Sequence, residues 1–506
     1  MAGKYRSEIR DSVIRDLLVK VRRQDYGAYL RKIRLNKVRA FSNQAVDFEF
    51  PVSALIGTNG GGKSTILGAA AIAYKQIKPA LFFPKSSIGD ESMAEWSLSY
   101  EMVEKSVNKT QPIQRSARFA RRKWARDDLI DRNLLYFGII RTVPAGERRE
   151  FKRLATMNYK YSGQMLDLSD TVQKQVARIL GKDVSRFHQA DITSKQQFYT
   201  GSDGINSYSE FHFGAGESSV IRMVREIEAA PLNTLVLIEE IENGLHPVAT
   251  RRMVEYLVDV ANRKSIQTIF TTHSEDALLP LPSEAIWSSI DGKVNQGRIS
   301  IEALRAITGR IDEAMAIFVE DGFAVEWVES LVRNSVPDML DQIGVYGVHG
   351  DSQAHSIHDS HKKNPAISGR LKSICVLDGD SEFGEDLDGG VIKLPGNAPE
   401  SEVFDYVRDN IGALSMQLAV ALHLPTDAEA KVRKAVEEVA LSNRDPHLLF
   451  NQVGQKAGFI PSSIVSSAFI GLWIHGNPTN VRKISEFIAS NLQGFGAVGA
   501  KNYDPR

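Results

Sequence analysis

Apolar and polar positions change period several times along the chain, and each change marks an element. Over residues 7–23, Ile9, Val13, Ile14, Leu17, Leu18 and Val21 recur at helical spacing and predict a short amphipathic helix. Over 29–50 the pattern alternates through Leu30, Ile33, Leu35, Val38 and Phe41, then Val46, Phe48 and Phe50, which predicts two strands. A short apolar run at 53–56 reads as a buried strand, and the Ala-, Leu- and Ile-rich stretch 65–74 as a helix. Further strands are expected at 96–103, 134–143, 234–238 and 267–270, with helices at 169–180, 218–228 and 248–261. From Ala316 a second α/β pattern begins. It has strands at 316–320, 343–348, 373–378 and 391–394, a helix at 324–332 and a polar connection before Ser373. Helices then follow at 402–414, 428–441, 462–474 and 480–492, with Trp473 and Phe487 as core residues.

The chemistry concentrates at the ends of these strands. Gly57-Thr58-Asn59-Gly60-Gly61-Gly62-Lys63-Ser64 joins the strand at 53–56 to the next helix and fits the phosphate-cradling P-loop. The glycines let backbone N–H groups close round phosphates, and the new helix adds its positive end. Lys63 would reach the β- and γ-phosphates and the Ser64 hydroxyl would bind Mg²⁺. Gly57, Asn59, Gly60, Gly62 and Thr65 complete the expected ATP contacts. Gly214, Gly216 and Glu217 open another helix and form a second anion-binding end. The apolar strand at 234–238 ends in Glu239 and Glu240. Glu239 is expected to hold Mg²⁺ and Glu240 to orient and activate the attacking water, since buried carboxylates without such a task are costly. His273 ends the next strand, where it can reach a γ-phosphate or serve as a cap.

Composition narrows the classes. The chain of 506 residues is too long for one core. Its 62 Lys and Arg balance its 62 Asp and Glu, so any nucleic-acid surface must be local. One such stretch is 115–126, where six basic residues interleave with Phe119 and Trp124. It suits phosphate contact with base stacking, or a helix with one charged face and two core aromatics. Arg31, Lys32, Arg34, Lys37 and Arg39 crowd the first hairpin, either to touch phosphates or as a solvated strand face. The single cysteine, Cys375, excludes an intrachain disulfide and a Cys-based zinc site and fits a reducing, cytoplasmic setting. No signal-peptide core and no transmembrane run is expected. Sustained heptads and fixed-period repeats are also absent from the sequence.

The order P-loop, glycine-opened helix, Glu-Glu after a strand, then Thr-His-Ser resembles the ABC-type ATPases of the SMC/RecF/OLD group. Residues 238–247, Ile-Glu-Glu-Ile-Glu-Asn-Gly-Leu-His-Pro, resemble the OLD-type version, with Ile241 where Pro is usual. The resemblance covers residues 29–283. It implies two heads that sandwich ATP, with Gly214, Gly216 and Glu217 of one head completing the site of the other. Gly214 stands where the group often has Ser, which implies slow hydrolysis or substitution by Ser218.

In the second α/β pattern, a strand ending in Glu320 and another ending in Asp378-Gly379-Asp380 bring three carboxylates to one sheet edge, hard ligands suited to Mg²⁺ or Mn²⁺. This resembles a Toprim domain, the module fused to the heads of OLD-type nucleases, with Glu400 or Glu402 as a further ligand. Asp321 replaces the usual Gly and Ala324 a usual Asp, which implies either a weak nuclease or a degenerate copy kept for assembly. His355, His358 and His361, three apart beside Asp359, are conceivable zinc ligands or a polar loop. The expected fold class is α/β: an ABC-type P-loop ATPase head over 1–308 with an insertion at about 77–209, a Toprim-like domain over 309–410, and a C-terminal helical domain over 411–506. The resemblance implies an OLD-type ATPase that gates metal-dependent nucleic-acid cleavage in anti-phage defence. The alternative is a regulatory ATPase subunit that controls a separate nuclease or toxin, as in Septu-type two-gene systems. The expected partners are a second copy, nucleic acid and, in the alternative, that effector protein, with no membrane. The missing coiled-coil arm and the additional metal-type domain argue against chromosome maintenance.

Overall fold

The computed structural model describes residues 7–493, except 59, 87, 89–92, 94, 121–122, 157–160, 194–195, 203–204, 291, 299–302, 304–305, 307–312, 336 and 370. Asn59 and the expected boundary at 308–309 therefore lie outside the described residues. The chain divides into two compact units between Arg298 and Ile299.

In chain order the first unit runs α1 (Asp11–Arg22), β1 (Ala28–Val38), β2 (Phe41–Asp47), β3 (Val52–Gly57), α2 (Lys63–Ile72), β4 (Ser97–Glu104), β5 (Ile113–Ala120), β6 (Lys123–Arg126) and β7 (Leu134–Phe137). It continues with β8 (Met165–Asp167), α3 (Asp170–Leu180), β9 (His188–Thr193), β10 (Gln196–Ser202), β11 (Ser207–Ser209), α4 (Ala215–Ala229), β12 (Leu235–Ile238), α5 (Pro247–Lys264), β13 (Gln267–Thr271), β14 (Ile286–Ile290) and β15 (Lys293–Gln296). The central sheet has the order β15-β14-β3-β13-β12-β7 and is parallel except at β15. Every residue of β3, β12 and β13 is buried, as continuous apolar runs in a sheet covered on both faces should be. An antiparallel sheet, β2-β1-β4-β5-β6, shares a core with the Ala-rich helix α2 and the central sheet.

The segment at 77–209 is woven into this head. β4 and β5 extend the hairpin of β1 and β2, β7 pairs in parallel with β12, and β8 to β11 form a small separate sheet.

Three expectations need correction here. Residues 115–126 form the β5–β6 hairpin and not a helix, because Ile113, Ala117 and Phe119 alternate inward with a period of two. Phe119 lies edge-on to Trp124 at 5.9 Å and both pack into the core cluster, so these rings are not presented for base stacking. Arg126 donates to the carbonyls of Ile72, Tyr74 and Ile77, a structural task; Arg121 and Arg122 lie outside the described residues. The strand expected at 134–143 stops at Phe137, and a 3₁₀ turn (Ile139–Thr142) then carries Arg141 inward.

The second unit holds β16 (Met315–Val319), α6 (Gly322–Ser335), β17 (Ile343–Gly347), α7 (Asp351–Lys363), β18 (Lys372–Leu377), β19 (Val391–Lys393) and α8 (Pro399–Asp409). After these come α9 (Ile411–Ala421), α10 (Glu429–Ser442), α11 (Leu449–Gly458), α12 (Ser462–Gly476) and α13 (Pro478–Gln493). Its sheet is parallel, in the order β17-β16-β18-β19. One apolar cluster runs from Ile317 and Val376 in the sheet to Trp327, Phe469 and Trp473, so the helices close over the sheet.

Two further expectations fail. The polar connection before Ser373 contains the helix α7, with His358 and His361 on its buried face. The helix expected at 402–414 is two helices, because the chain leaves helical geometry at Asn410. Among the described residues, no single helix is long and apolar enough to cross a membrane.

Candidate nucleotide cleft and carboxylate cluster

β3, β13 and β12 lie side by side, so their C-terminal ends meet at one edge of the central sheet. The P-loop, Glu239, Glu240 and His273 follow these three ends. Thr58, Gly60, Gly62, Lys63, Ser64, Thr65, Glu239, Glu240 and His273 line one cleft of about 490 Å³, together with Arg39. The P-loop is held open by backbone geometry. Gly62 has φ +103° at the start of α2, and a Cβ there would sit 2.3 Å from the Phe41 ring. Gly57 begins the loop against the Ser289 carbonyl, and Ser289 Oγ donates to Gly61 O at 2.5 Å.

Lys63 is buried and donates to the carbonyls of Gly57 (2.8 Å) and Thr58 (3.1 Å). Burial lowers its pKa, opposed by the charges of Glu240 and Glu242. Burial also lowers His273, reinforced by Lys63 and opposed by Glu242 and Glu240, which favours a neutral ring. Glu242 orders this corner by accepting from Thr272 Oγ1 and His273 N, both at 2.7 Å. Glu240 has φ +45°; its N–H donates to Thr271 Oγ1 at 2.8 Å, and Asn243 Nδ2 donates to its Oε2 at 2.7 Å.

Arg141, buried beneath these acids, donates to the carbonyls of Glu239 and Glu240, both at 2.6 Å, and to Gly138 at 3.1 Å. Sequence reasoning missed Arg141 and gave Glu242 no role. Glu242 lies within three positions of the acids, whereas Arg141 lies about a hundred residues away from them and carries no local signal. Arg39, grouped by sequence with the surface cations, lines the cleft and donates to Thr65 Oγ1 (2.8 Å) and Phe82 O (2.9 Å). Its neighbours do fit a paired strand face, since Arg31, Lys32 and Lys37 form ion pairs with Glu101, Asp47 and Glu95.

Gly214 and Gly216 open α4 away from the residues that line this cleft. A Cβ at Gly216 would meet Gly244 O at 1.8 Å, which forces glycine there. A Cβ at Gly214 meets nothing within 4 Å, so packing does not exclude a serine. Ser218 is buried within the head and is not a surface substitute for it. Glu217 is ion-paired with Lys182.

In the second unit β16 and β18 are neighbours, with Val319 opposite Val376, and so Glu320, Asp378 and Asp380 come to one edge. Asp378 is pushed up to about 8 by burial and by the charges of Glu320, Asp321, Glu400 and Asp380. Its Oδ1 is buried without a partner, while the carboxyl shares a hydrogen bond with Glu320. Glu320 is raised by burial and by Asp351, Asp321 and Asp380. Lys393 Nζ donates to the carbonyls of Ser381 (2.6 Å) and Gly379 (3.5 Å) and so braces the Asp-Gly-Asp turn. Ala324 is fully buried and supplies no ligand, and its N–H donates to Asp321 Oδ1 at 2.9 Å.

Of the other candidate acids, Glu400 is buried and paired with His447 at 2.8 Å, while Glu402 accepts from Trp473 Nε1 at 3.2 Å. The three spaced histidines do not converge. His355 stacks on Phe383, His358 is bonded to Ser373 Oγ and Gly389 O, and His361 meets Phe318 edge-on.

A protein-family model described as "AAA domain, putative AbiEii toxin, Type IV TA system" matches residues 113–279, a span that begins after the P-loop and includes both acids and His273. No curated protein matches. Similar solved structures include an SMC head domain from Thermotoga maritima (13% identity, covering 53% of this chain and 97% of that one, TM-score 0.33). An Smc head domain from Pyrococcus furiosus is similar at 11% identity, covering 56% and 98%, with TM-score 0.38. The recombination mediator RecF with ATP is similar at 11% identity, covering 54% and 98%, with TM-score 0.34. All three scores are below 0.5. The family match and the cleft together support a mixed α/β P-loop ATPase head for the first unit.

Proposed function

We propose that the chain binds and hydrolyses ATP in paired heads and uses that cycle to gate metal-dependent cleavage of nucleic acid by the second unit, in the manner of an OLD-type defence nuclease. The observation that carries this reading is the convergence of Lys63, Ser64, Glu239, Glu240 and His273 on one cleft. Lys63 leaves the carbonyls of Gly57 and Thr58 and turns to the β- and γ-phosphates. Glu240, held by Asn243 and by its own backbone, orients a water and takes its proton at the carboxylate. Neutral His273 meets the γ-phosphate by a hydrogen bond. Ser64 and Glu239 are suited to Mg²⁺, which when bound draws charge from the phosphate oxygens. The exposed Gly214 end of α4 serves the nucleotide of the partner head.

In the second unit Glu320, Asp378 and Asp380 form a Toprim-like site for Mg²⁺ or Mn²⁺, and the orphaned Asp378 Oδ1 fits a cation there. Plasmid cleavage by the purified chain, with Mg²⁺ or Mn²⁺ and with or without ATP, is the test. Cleavage lost in Asp378→Ala/Asp380→Ala supports the reading. No cleavage under any of these conditions rejects this chain as the nuclease and supports the second reading, a Septu-type regulatory ATPase that holds a separate effector. The buried Ala324, where an acid is usual, is the observation that favours this second reading.

A further inference from the structure

Beside the acid trio lies a second set of groups with different chemistry. Asp321 follows β16, Glu400 sits in the first turn of α8, and His447 sits in the short turn Pro446–Leu448 before α11. These three come from separate stretches of the second unit, yet one ligand atom of each lies within 4.8 Å of the others. His447 Nδ1 and Glu400 Oε1 are already 2.8 Å apart. Glu400 is 6% exposed, a burial that a carboxylate tolerates only with a cationic partner. Asp321 uses Oδ1 to cap α6 through Ala324 N–H, and a carboxylate has a second oxygen to offer. The acids of this set also border Asp378, whose buried Oδ1 has no partner.

We propose that Asp321, Glu400 and His447 form a separate binding site for a first-row transition ion of the Zn²⁺ or Mn²⁺ class, next to the Glu320–Asp378–Asp380 cluster. The donor set decides the class. Imidazole nitrogen suits Zn²⁺ and its late first-row neighbours, the two carboxylates also suit Mn²⁺, and Mg²⁺ prefers oxygen alone and keeps its water. Ligands bound at about 2.1 Å in a four-coordinate site stand roughly 3.4 Å apart. The group therefore needs to close by a side-chain rotation, with solvent completing the coordination. Glu400 anchors the site from the interior, Asp321 is held by the helix it caps, and His447, with 72% of its side chain exposed, swings in from the surface. The site stands on its own side chains and does not need the cleavage activity proposed above.

The test uses the full chain stripped of metal with a chelator and titrated with Co²⁺, read by its visible d–d absorption, and with Zn²⁺, read by calorimetry. The expected result includes one site per chain, distinct from the acid trio, whose affinity falls at least about tenfold in His447→Gln and in Asp321→Asn, because each removes a donor. Asp378→Ala/Asp380→Ala is expected to retain that site. Gln at 447 keeps a hydrogen-bond donor for the buried Glu400, and a cooperative melt in the absence of metal checks that the variant is folded. Equal Co²⁺ and Zn²⁺ affinity in wild type, His447→Gln and Asp321→Asn overturns the proposal. So does the absence of measurable binding, which would leave Glu400 and His447 as a plain ion pair. Loss of the Co²⁺ signal only in Asp378→Ala/Asp380→Ala also overturns it, while leaving the nuclease reading intact.

Discussion

Both units carry acids at the ends of parallel strands, and they treat those acids in opposite ways. After β12 the backbone is clamped. Arg141 binds the carbonyls of Glu239 and Glu240, Thr271 accepts the Glu240 N–H, and Asn243 holds one carboxylate oxygen. Lys63 faces the same cleft, so negative charge has a built-in counterpart. After β16 and β18 the acids face one another. Asp378 is raised by burial and by four neighbouring carboxylates and has a buried oxygen without a partner, while Lys393 is engaged with backbone carbonyls. A site whose charges are balanced internally is ready to receive an anionic substrate. A site of mutually repelling carboxylates is suited to a cation from solution.

The largest effects should separate the two sites cleanly. Lys63→Ala is expected to weaken ATP binding by at least about 100-fold, roughly 2.7 kcal/mol, and fluorescent-nucleotide titration measures it. Unchanged affinity would break the P-loop reading. Asp378→Ala/Asp380→Ala should leave that titration untouched while removing cleavage, so a variant that loses both would show the two sites are not separable.

Next in size, Glu240→Gln should lower ATP turnover about 10²- to 10⁴-fold with nucleotide affinity kept, read by phosphate release beside the titration. Normal turnover would move water activation to another residue. Arg141→Met leaves several buried carbonyls unpaired and should cost about 3 kcal/mol of stability in denaturant unfolding. A loss near zero would mean the clamp is not what holds the acids.

The smallest effect concerns pH. Asp378 titrates at about 8 in the folded chain against an ordinary 3.8, so the metal-free native state binds more protons than the unfolded state between those values. Stability in chelator should therefore fall as pH rises from about 4 to about 8, the reverse of the usual carboxylate case. Asp378→Asn should flatten that fall and raise the melting temperature at pH 8 by a few degrees. An identical pH slope in the variant would remove Asp378 as its source.

Much of this contrast was legible before the fold. The P-loop, the pair Glu239–Glu240 and His273 could be read because each sits at a strand end marked by an apolar run, a local pattern of a few residues. The same logic found Glu320, Asp378 and Asp380. It failed at 115–126, where basic and aromatic letters fit a helix as well as a hairpin, and at α7, whose polar sequence concealed two buried histidines.

The sequence alone determined which strands end in P-loop glycines and which in acids, because side-chain period and backbone sterics act over one or two turns. Only the tertiary structure decided that Arg141 lies beneath Glu239, that Glu242 holds His273, that Arg39 faces the cleft and that His447 meets Asp321 and Glu400. Those partners are 31 to 126 positions apart, apart from the shorter span joining Arg39 to Thr65. Such contacts depend on how buried elements stack into shared cores, and no local period records that.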